Sequence, residues 1–201
     1  IDLPRKVRFR ERYKKPVFKV DKGCRIGRNY EAFESFMETH PDTAIVQMDT
    51  VIGAKGGKCL LTIHFVETSL MLAFLREANT SQSVIEVFNG LDQALGRELF
   101  RRLFPVILTD NGSEFSDFAQ VATWGSGVYF AHPYTSWERP QNERHNGLFR
   151  AFVPKGVSIE QYSDEDILTA ADELNGRPRR KLGYRTPEEL FEAFLDSVFA
   201  A

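Results

Sequence analysis

Three acidic residues stand in sequence settings where a carboxylate calls for a chemical explanation. Asp49 interrupts the apolar run TAIVQMDTVIG at 43–53, where an unpaired charge is costly to bury. Asp110 directly follows the apolar segment VILT, and Glu143 lies in the polar segment RPQNERHNG. Carboxylate oxygens are hard ligands suited to Mg²⁺ or Mn²⁺, and two such ions stabilise the attacking and leaving oxygens of a phosphoryl displacement. The three acids are therefore candidate ligands of a two-metal site.

The sequence around Asp110 also fits a simple chain reversal. Asn-Gly pairs favour turns because Gly tolerates positive φ and Asx side chains bond to nearby backbone. A turn at Asn111 and Gly112 is compatible with a functional acid, since it would leave Asp110 at the end of the strand.

Two other acids compete with Glu143 for the third position. Glu138 precedes Pro140, so we expect it to lie ahead of the helix that Pro140 begins. Glu114 follows Asp110 too closely to oppose it and suits the start of a short helix. We predict Glu143 as the third acid.

The hydrophobic pattern predicts the elements that would position these acids. Strands are predicted near 43–53, 59–66, 69–76, 106–109 and 127–131. Helices are predicted near 29–39, 80–103, 115–123, 140–152 and 164–174. The first three strands should form an antiparallel meander, and the fourth, which arrives after a helix, should run parallel to its neighbour. We predict an α/β fold with a five-stranded mixed sheet flanked by helices, its first and fourth strands adjacent.

Composition narrows the class of protein. The 201 residues are 42% hydrophobic and include 17 Phe, which is ample for the core of one ordinary domain. The sequence has no apolar run of about 18 residues and no signal peptide, so we predict a protein without membrane contact, in the cytoplasm. Cys24 and Cys59 are too few for a disulfide framework or a four-thiolate zinc site. Because the chain starts at Ile1 without Met, we expect it to be part of a longer protein.

The net charge of −2 is unevenly distributed along the chain. Residues 1–22 carry a net +6 and residues 176–187 a net +5, whereas 23–175 carry −9. Basic flanks around an acidic centre suit a polyanionic partner, although solvated surface charges would give the same pattern. Candidate phosphate-contacting residues are Asn142, Arg144, Asn146, Arg177, Arg179, Arg180 and Lys181.

Three segments together resemble a known family. VQMDTVIG, TDNGSEF and YTSWERPQNERHNGLFRAFVPKG, in this order, resemble the catalytic core of bacterial insertion-sequence transposases of the DDE type, which belong with retroviral integrases in the ribonuclease-H-like superfamily. The resemblance covers roughly 41–195 and places Asp49, Asp110 and Glu143 at the positions of the three catalytic, metal-binding acids. It implies a ribonuclease-H-like fold and cleavage and transfer of DNA strands at transposon ends with Mg²⁺ or Mn²⁺. It also implies a bacterial protein that acts as a homodimer.

The same resemblance suggests how the chain is organised. We predict a basic N-terminal arm and short helix at 1–40, the catalytic core at 41–158, and a C-terminal helix and basic tail packed on the core at 159–201. Two alternatives stay open: a catalytically degenerate module that binds DNA or dimerises, and a ribonuclease-H-like nuclease acting on RNA–DNA hybrids.

Overall fold

A five-stranded sheet forms the centre of the protein. The computed structural model describes residues 23–54 and 56–200, so the predicted basic arm at 1–22 lies outside the described residues. The strands are β1 (Ile45–Ile52), β2 (Cys59–Phe65), β3 (Met71–Arg76), β4 (Val106–Thr109) and β5 (Gly127–Phe130). Their order in the sheet is β3-β2-β1-β4-β5. β1, β2 and β3 pair antiparallel, and β4 runs parallel to both β1 and β5. The predicted mixed sheet, its meander and the adjacency of β1 and β4 are confirmed.

Six α-helices surround the sheet within the described ranges. They are α1 (Tyr30–Thr39), α2 (Ser81–Leu95), α3 (Arg97–Leu103), α4 (Pro140–Phe149), α5 (Asp164–Asn175) and α6 (Pro187–Ala200). None of these helices is long and apolar enough to cross a lipid bilayer.

The sheet is covered on both faces because side chains alternate along each strand. In β1, Val46 and Met48 point into a core shared with α2, α3 and α6. Val51 points to the opposite face, where a second core joins β2 and β3 to α4 and α5. α1 packs on the same face as α4, against β4 and β5. Asp49 has the same parity as Val51 and therefore faces α4.

The helices depart from the prediction at several points. The single helix predicted at 80–103 is divided into α2 and α3, because Gly96 between them has a φ of 77°, outside the helical region. The predicted helix at 140–152 ends at Phe149. The helix predicted near 115–123 is instead a pair of 3-10 segments, Ser113–Phe115 and Phe118–Trp124. α6 is absent from the predicted elements, yet its apolar side chains pack on the core.

Helix α5 closes the β3 edge of the sheet. Its first turn has the predicted capping box, in which Ser163 and Asp166 bond reciprocally to each other's backbone N–H. At its other end, the buried Asn175 side chain accepts from Met71 N at 3.0 Å and donates to Met71 O at 2.8 Å. The amide thus pairs backbone groups that an edge strand would otherwise leave exposed. The predicted boundaries at 41 and 158 stay predictions.

Candidate active site

The strand register brings two of the three acids side by side. β1 and β4 are parallel, with Gln47 paired to Leu108. Extending that register by two residues places Asp49 level with Asp110, and both side chains point to the face that α4 covers. The predicted approach of these two carboxylates therefore follows directly from the sheet topology.

The turn after β4 fixes the Asp110 side chain. Gly112 N donates to Asp110 Oδ1 at 2.8 Å, and the Asn111 amide donates to Ala131 O at the end of β5. Arg25 Nη2 donates to the Asn111 carbonyl at 2.8 Å. The turn is thus compatible with the predicted role of Asp110, because the reversal itself holds one oxygen of its carboxylate.

Helix α4 lies across β1 and presents two different faces. Pro140 occupies its first turn, as predicted, and the buried Asn142, His145 and Phe149 face the sheet. Gln47 Oε1 accepts from Asn142 N at 3.2 Å, which ties the start of α4 to β1. The neighbouring face of α4 begins with Glu143, in the helix's first turn.

An open cavity of about 310 Å³ separates that second face of α4 from β1. Its lining residues are Asp49, Thr50, Val51, Glu143, Asn146, Gly147, Arg150 and Lys155. Glu143 and Asp49 therefore open into the same space from opposite walls. At Gly147 a Cβ atom would meet nothing within 4 Å, which leaves this part of the helix accessible.

Asp49 is held by three neighbours. Thr50 N donates to Oδ1 at 2.8 Å, and Asn146 Nδ2 donates to Oδ2 at 3.1 Å. The third neighbour is Arg139, whose Nη1 lies 3.9 Å from Asp49 Oδ2. Arg139 Nη2 lies 3.8 Å from Asp110 Oδ2, so one guanidinium stands between the two acids.

Burial dominates the titration of both acids. It raises the pKa of Asp49 to about 6, the nearby Arg139 opposing that rise and Asp110 adding to it. The pKa of Asp110 is also raised by burial, again against the attraction of Arg139. Hydrogen bonds from Thr50 and Gly112 favour the ionised forms but do not reverse these shifts. A bound cation would therefore stabilise the ionised forms of both carboxylates.

The two rival acids occupy different settings from Glu143. Glu138, whose side chain is 7% exposed, accepts from His132 N at 2.8 Å and contacts His132 Nδ1 at 2.8 Å. His132 Nε2 also lies 2.9 Å from Glu31 of α1, so Glu138 belongs to a clamp that fixes the loop before α4. Glu114 is buried in the predicted short-helix position, close enough to raise the pKa of Asp49 and Asp110.

The carboxylates suit a hard divalent cation, although their arrangement is not yet that of a closed site. In the described part of the chain, no three His, Cys, Asp or Glu side chains converge on one metal position. Asp49 and Asp110 nevertheless flank a single positive charge, and Glu143 opens into the cavity beside Asp49. The donor set and its attraction for positive charge fit Mg²⁺ or Mn²⁺, with substrate oxygens completing the coordination.

The predicted phosphate-contacting residues fall into two groups. Asn142 is 1% exposed, Asn146 is engaged by Asp49, and Arg179 donates to Leu174 O and contacts His145 Nε2, so these three have mainly internal contacts. The exposed members of the set are Arg144, Arg177, Arg180 and Lys181. This second group can meet a polyanion directly, with Arg177 also donating to Glu173 Oε2 at 3.0 Å and Lys181 to Gln141 Oε1.

Three residues beside the acids were not predicted from the sequence. Arg139, Arg150 and Lys155 were not among the candidates, yet Arg139 contacts two acids and the other two line the cavity. Arg150 Nη2 also donates to Ile52 O at 2.9 Å and ties the end of α4 to β1. The signal for Arg150 is its spacing of seven residues from Glu143, two helical turns along the same face.

Similar sequences are transposases. The chain is 34% identical over 197 residues to the "Probable transposase for insertion-like sequence element IS1161" of Streptococcus salivarius, covering 96% of this chain and 53% of that protein. It is 34% identical to the transposase for insertion sequence element IS4351 of Bacteroides fragilis, covering 75% of this chain and 45% of that protein. The chain thus spans about half the length of these curated relatives. No protein-family model matches it.

Similar solved structures are integrase cores. The catalytic core domain of BIV integrase superposes with a TM-score of 0.56 at 17% identity, covering 78% of this chain and 99% of that one. The HTLV-2 integrase catalytic core domain, in complex with magnesium and in a trimeric form, gives a TM-score of 0.53 at 18% identity, covering 73% and 95%. At these identities the likeness shows a shared fold.

Proposed function

We infer that the chain belongs to the insertion-sequence transposase family and has the fold of an integrase catalytic core. From this premise we propose that it is the metal-dependent centre that cleaves and transfers DNA strands during transposition. The observation that carries this proposal is the placement of Asp49 beside Asp110, with Glu143 opening into the same cavity as Asp49. Two carboxylates from the interior strands of the sheet and one from the helix that covers them suit phosphodiester chemistry when divalent cations are bound.

The side chains have separate roles in this proposal. Asp49, Asp110 and Glu143 would hold two Mg²⁺ or Mn²⁺ ions, which when bound activate the attacking oxygen and stabilise the leaving oxygen. Asn146 and Thr50 N orient the Asp49 carboxylate, and Gly112 N orients that of Asp110. These hydrogen bonds hold the Asp49 and Asp110 carboxylates in defined orientations. Glu143 would have to approach them when metal and DNA bind, since no three acids converge on one position in the described residues.

The test is strand transfer by the 201-residue chain on pre-nicked duplex DNA ending in candidate terminal repeats. We expect joined products with Mn²⁺ and none when EDTA replaces it. An RNA–DNA hybrid in a parallel reaction separates the nuclease alternative, which would cleave the hybrid and leave duplex DNA intact.

A titration of the metal-free chain with Mn²⁺ measures metal affinity and serves as the binding control for this reaction. A chain that binds DNA but shows no Mn²⁺ affinity at millimolar metal would be the catalytically degenerate module. That alternative is worth testing because the acids do not converge on one metal position in the described residues. Equal product with Mn²⁺ and with EDTA would contradict the proposal outright.

DNA would meet the exposed basic turn between α5 and α6. Arg177 and Arg180 are exposed there. The turn follows α5, which packs on the same face as α4, and its Lys181 donates to Gln141 of α4. We expect the paired changes Arg177→Ala and Arg180→Ala to reduce the slope of log affinity against log salt by about 1 to 2, because each lost phosphate contact releases one counterion fewer. Fluorescence anisotropy with labelled duplex over about 50 to 200 mM salt measures the slope.

The matched control for that slope is Arg101→Ala. Arg101 is an exposed arginine of α3, a helix packed on the opposite face of the sheet. Its loss should leave the slope unchanged. Equal slopes for the wild type and the paired variant would remove the basic turn from the interface.

We further propose that the active assembly is a homodimer, since two DNA ends must be joined in one event. Sedimentation equilibrium with and without terminal-repeat DNA measures this. A monomer under both conditions, at concentrations that support strand transfer, would contradict it.

A further inference from the structure

Arg139 is the one residue whose side chain contacts both Asp49 and Asp110 among the described ion pairs. Its side chain is 10% exposed, and Nη1 donates to Met48 O at 2.9 Å. The two N–O distances to the acids, 3.9 and 3.8 Å, are too long for hydrogen bonds. The guanidinium is therefore fixed by the backbone of β1 and acts on the acids through charge.

A buried arginine in this position does two things at once. Its guanidinium supplies a positive charge where two carboxylates lose solvation. It also repels any further cation brought to the same carboxylates. Charges about 4 Å apart are screened much less in a protein interior than in water, so neither effect is negligible.

The backbone of Arg139 adds a geometric constraint. Its carbonyl accepts from Glu143 N at 3.2 Å, so the residue is the N-cap of α4 and begins the helix that carries the third acid. The charge between Asp49 and Asp110 and the start of α4 thus belong to the same residue.

We propose that Arg139 is the internal counter-ion of the Asp49–Asp110 pair, holding the metal-free acids together and competing with divalent cations for them. This inference rests on the proposed metal site. Arg139 is a positioning residue, because it acts on the acids and not on the reacting atoms. It sets the metal affinity below what the carboxylates alone would give, so that tight loading awaits the additional oxygen ligands of a DNA phosphate.

The test compares Arg139→Gln with Arg139→Lys in the full chain. Gln removes the charge but keeps an N–H donor for Met48 O, whereas Lys keeps the charge. We expect Mn²⁺ affinity, measured by electron paramagnetic resonance of the free ion without DNA, to rise about tenfold or more in Arg139→Gln. Arg139→Lys should stay within about threefold of the wild type. A purely structural role for Arg139 would lower the affinity in both variants.

Thermal melting gives a second readout. Metal-free Arg139→Gln should melt below the wild type and recover with Mn²⁺, because the ion replaces the missing charge between the acids. Mn²⁺ affinity that is unchanged or weaker in Arg139→Gln would overturn the inference. So would a variant that stays unfolded at saturating Mn²⁺.

Asp49→Asn separates this inference from the proposed function. If wild-type Mn²⁺ binding is insensitive to Asp49→Asn, the proposed metal site itself is wrong. If that binding depends on Asp49 but does not strengthen in Arg139→Gln, only the counter-ion role fails.

Discussion

Replacing Asp49 by Asn is expected to abolish strand transfer and to make the metal-free protein more stable. Activity should fall by about 10³-fold or more, on the scale of losing one preorganised transition-state contact or worse. Stability should rise because the raised pKa of about 6 means that the folded state ionises Asp49 at a cost. The gain at neutral pH is on the order of 1 to 3 kcal/mol, or several degrees in melting temperature.

The pH profile of melting identifies the cause of that gain. A carboxyl whose folded pKa lies above its unfolded value favours folding at low pH, and the advantage is lost as pH rises through about 6. The free energy of unfolding of the metal-free wild type should therefore fall as pH rises from about 4 to about 6, and that of Asp49→Asn should fall less. Mn²⁺ should raise the melting temperature of the wild type and leave that of the variant unchanged.

Asp42→Asn is the matched control, since Asp42 is an exposed acid in the loop before β1. It should alter neither the activity nor the pH profile. If Asp49→Asn lowers metal-free stability while Asp42→Asn does not, the carboxylate is satisfied in the fold. The expectation that Asp49 serves activity at the expense of stability would then be wrong.

The strands were predictable because their signals are local and consistent. Short apolar runs in β1 to β3, separated by turn residues, predict the antiparallel meander, and the helical crossover before β4 predicts its parallel direction. Both agree with the sheet order. Helix limits were less accessible. Gly96 costs a helix only about 1 kcal/mol relative to Ala, so its positive φ depends on packing that periodicity does not contain.

The overlooked helix α6 shows a different failure. Phe191, Phe194 and Val198 recur at spacings of three and four, so the helical signal was present in the sequence. The preceding segment, with its basic residues and glycines, favoured a tail instead. Phe191 of α6 packs against Phe65, which in turn contacts Phe104, and a contact with a residue so far away in sequence could not be read from the pattern.

The site divides in the same way. The positions of Asp49 and Asp110 followed from strand order, but the residue between them did not, because Arg139 lies in a polar segment with no distinguishing period. Asn142 was predicted to contact phosphate because it lies beside Glu143 in sequence, but the Asn142 side chain is buried and faces the sheet. Adjacent helical residues differ by about 100° in direction, so proximity in sequence does not give a shared surface.

The identity of the third acid is best decided by comparing Glu143→Gln with Glu138→Gln. We expect Glu143→Gln to reduce strand transfer by about 10²-fold or more while leaving the melting temperature nearly unchanged, because Glu143 is exposed and opens into the cavity. Glu138→Gln should do the reverse. It weakens the bonds to His132, costing about 1 to 2 kcal/mol of stability, and should change strand transfer only a few-fold.

These two variants are each other's controls, since they make the same chemical change five residues apart on opposite sides of the start of α4. Strand transfer and thermal melting on the same preparations separate a lost ligand from a loosened loop. A large activity loss in Glu138→Gln with an unchanged melting temperature would move the third ligand to the loop. The clamp between His132 and Glu138 would then have to open when metal binds, since its carboxylate oxygens are already engaged.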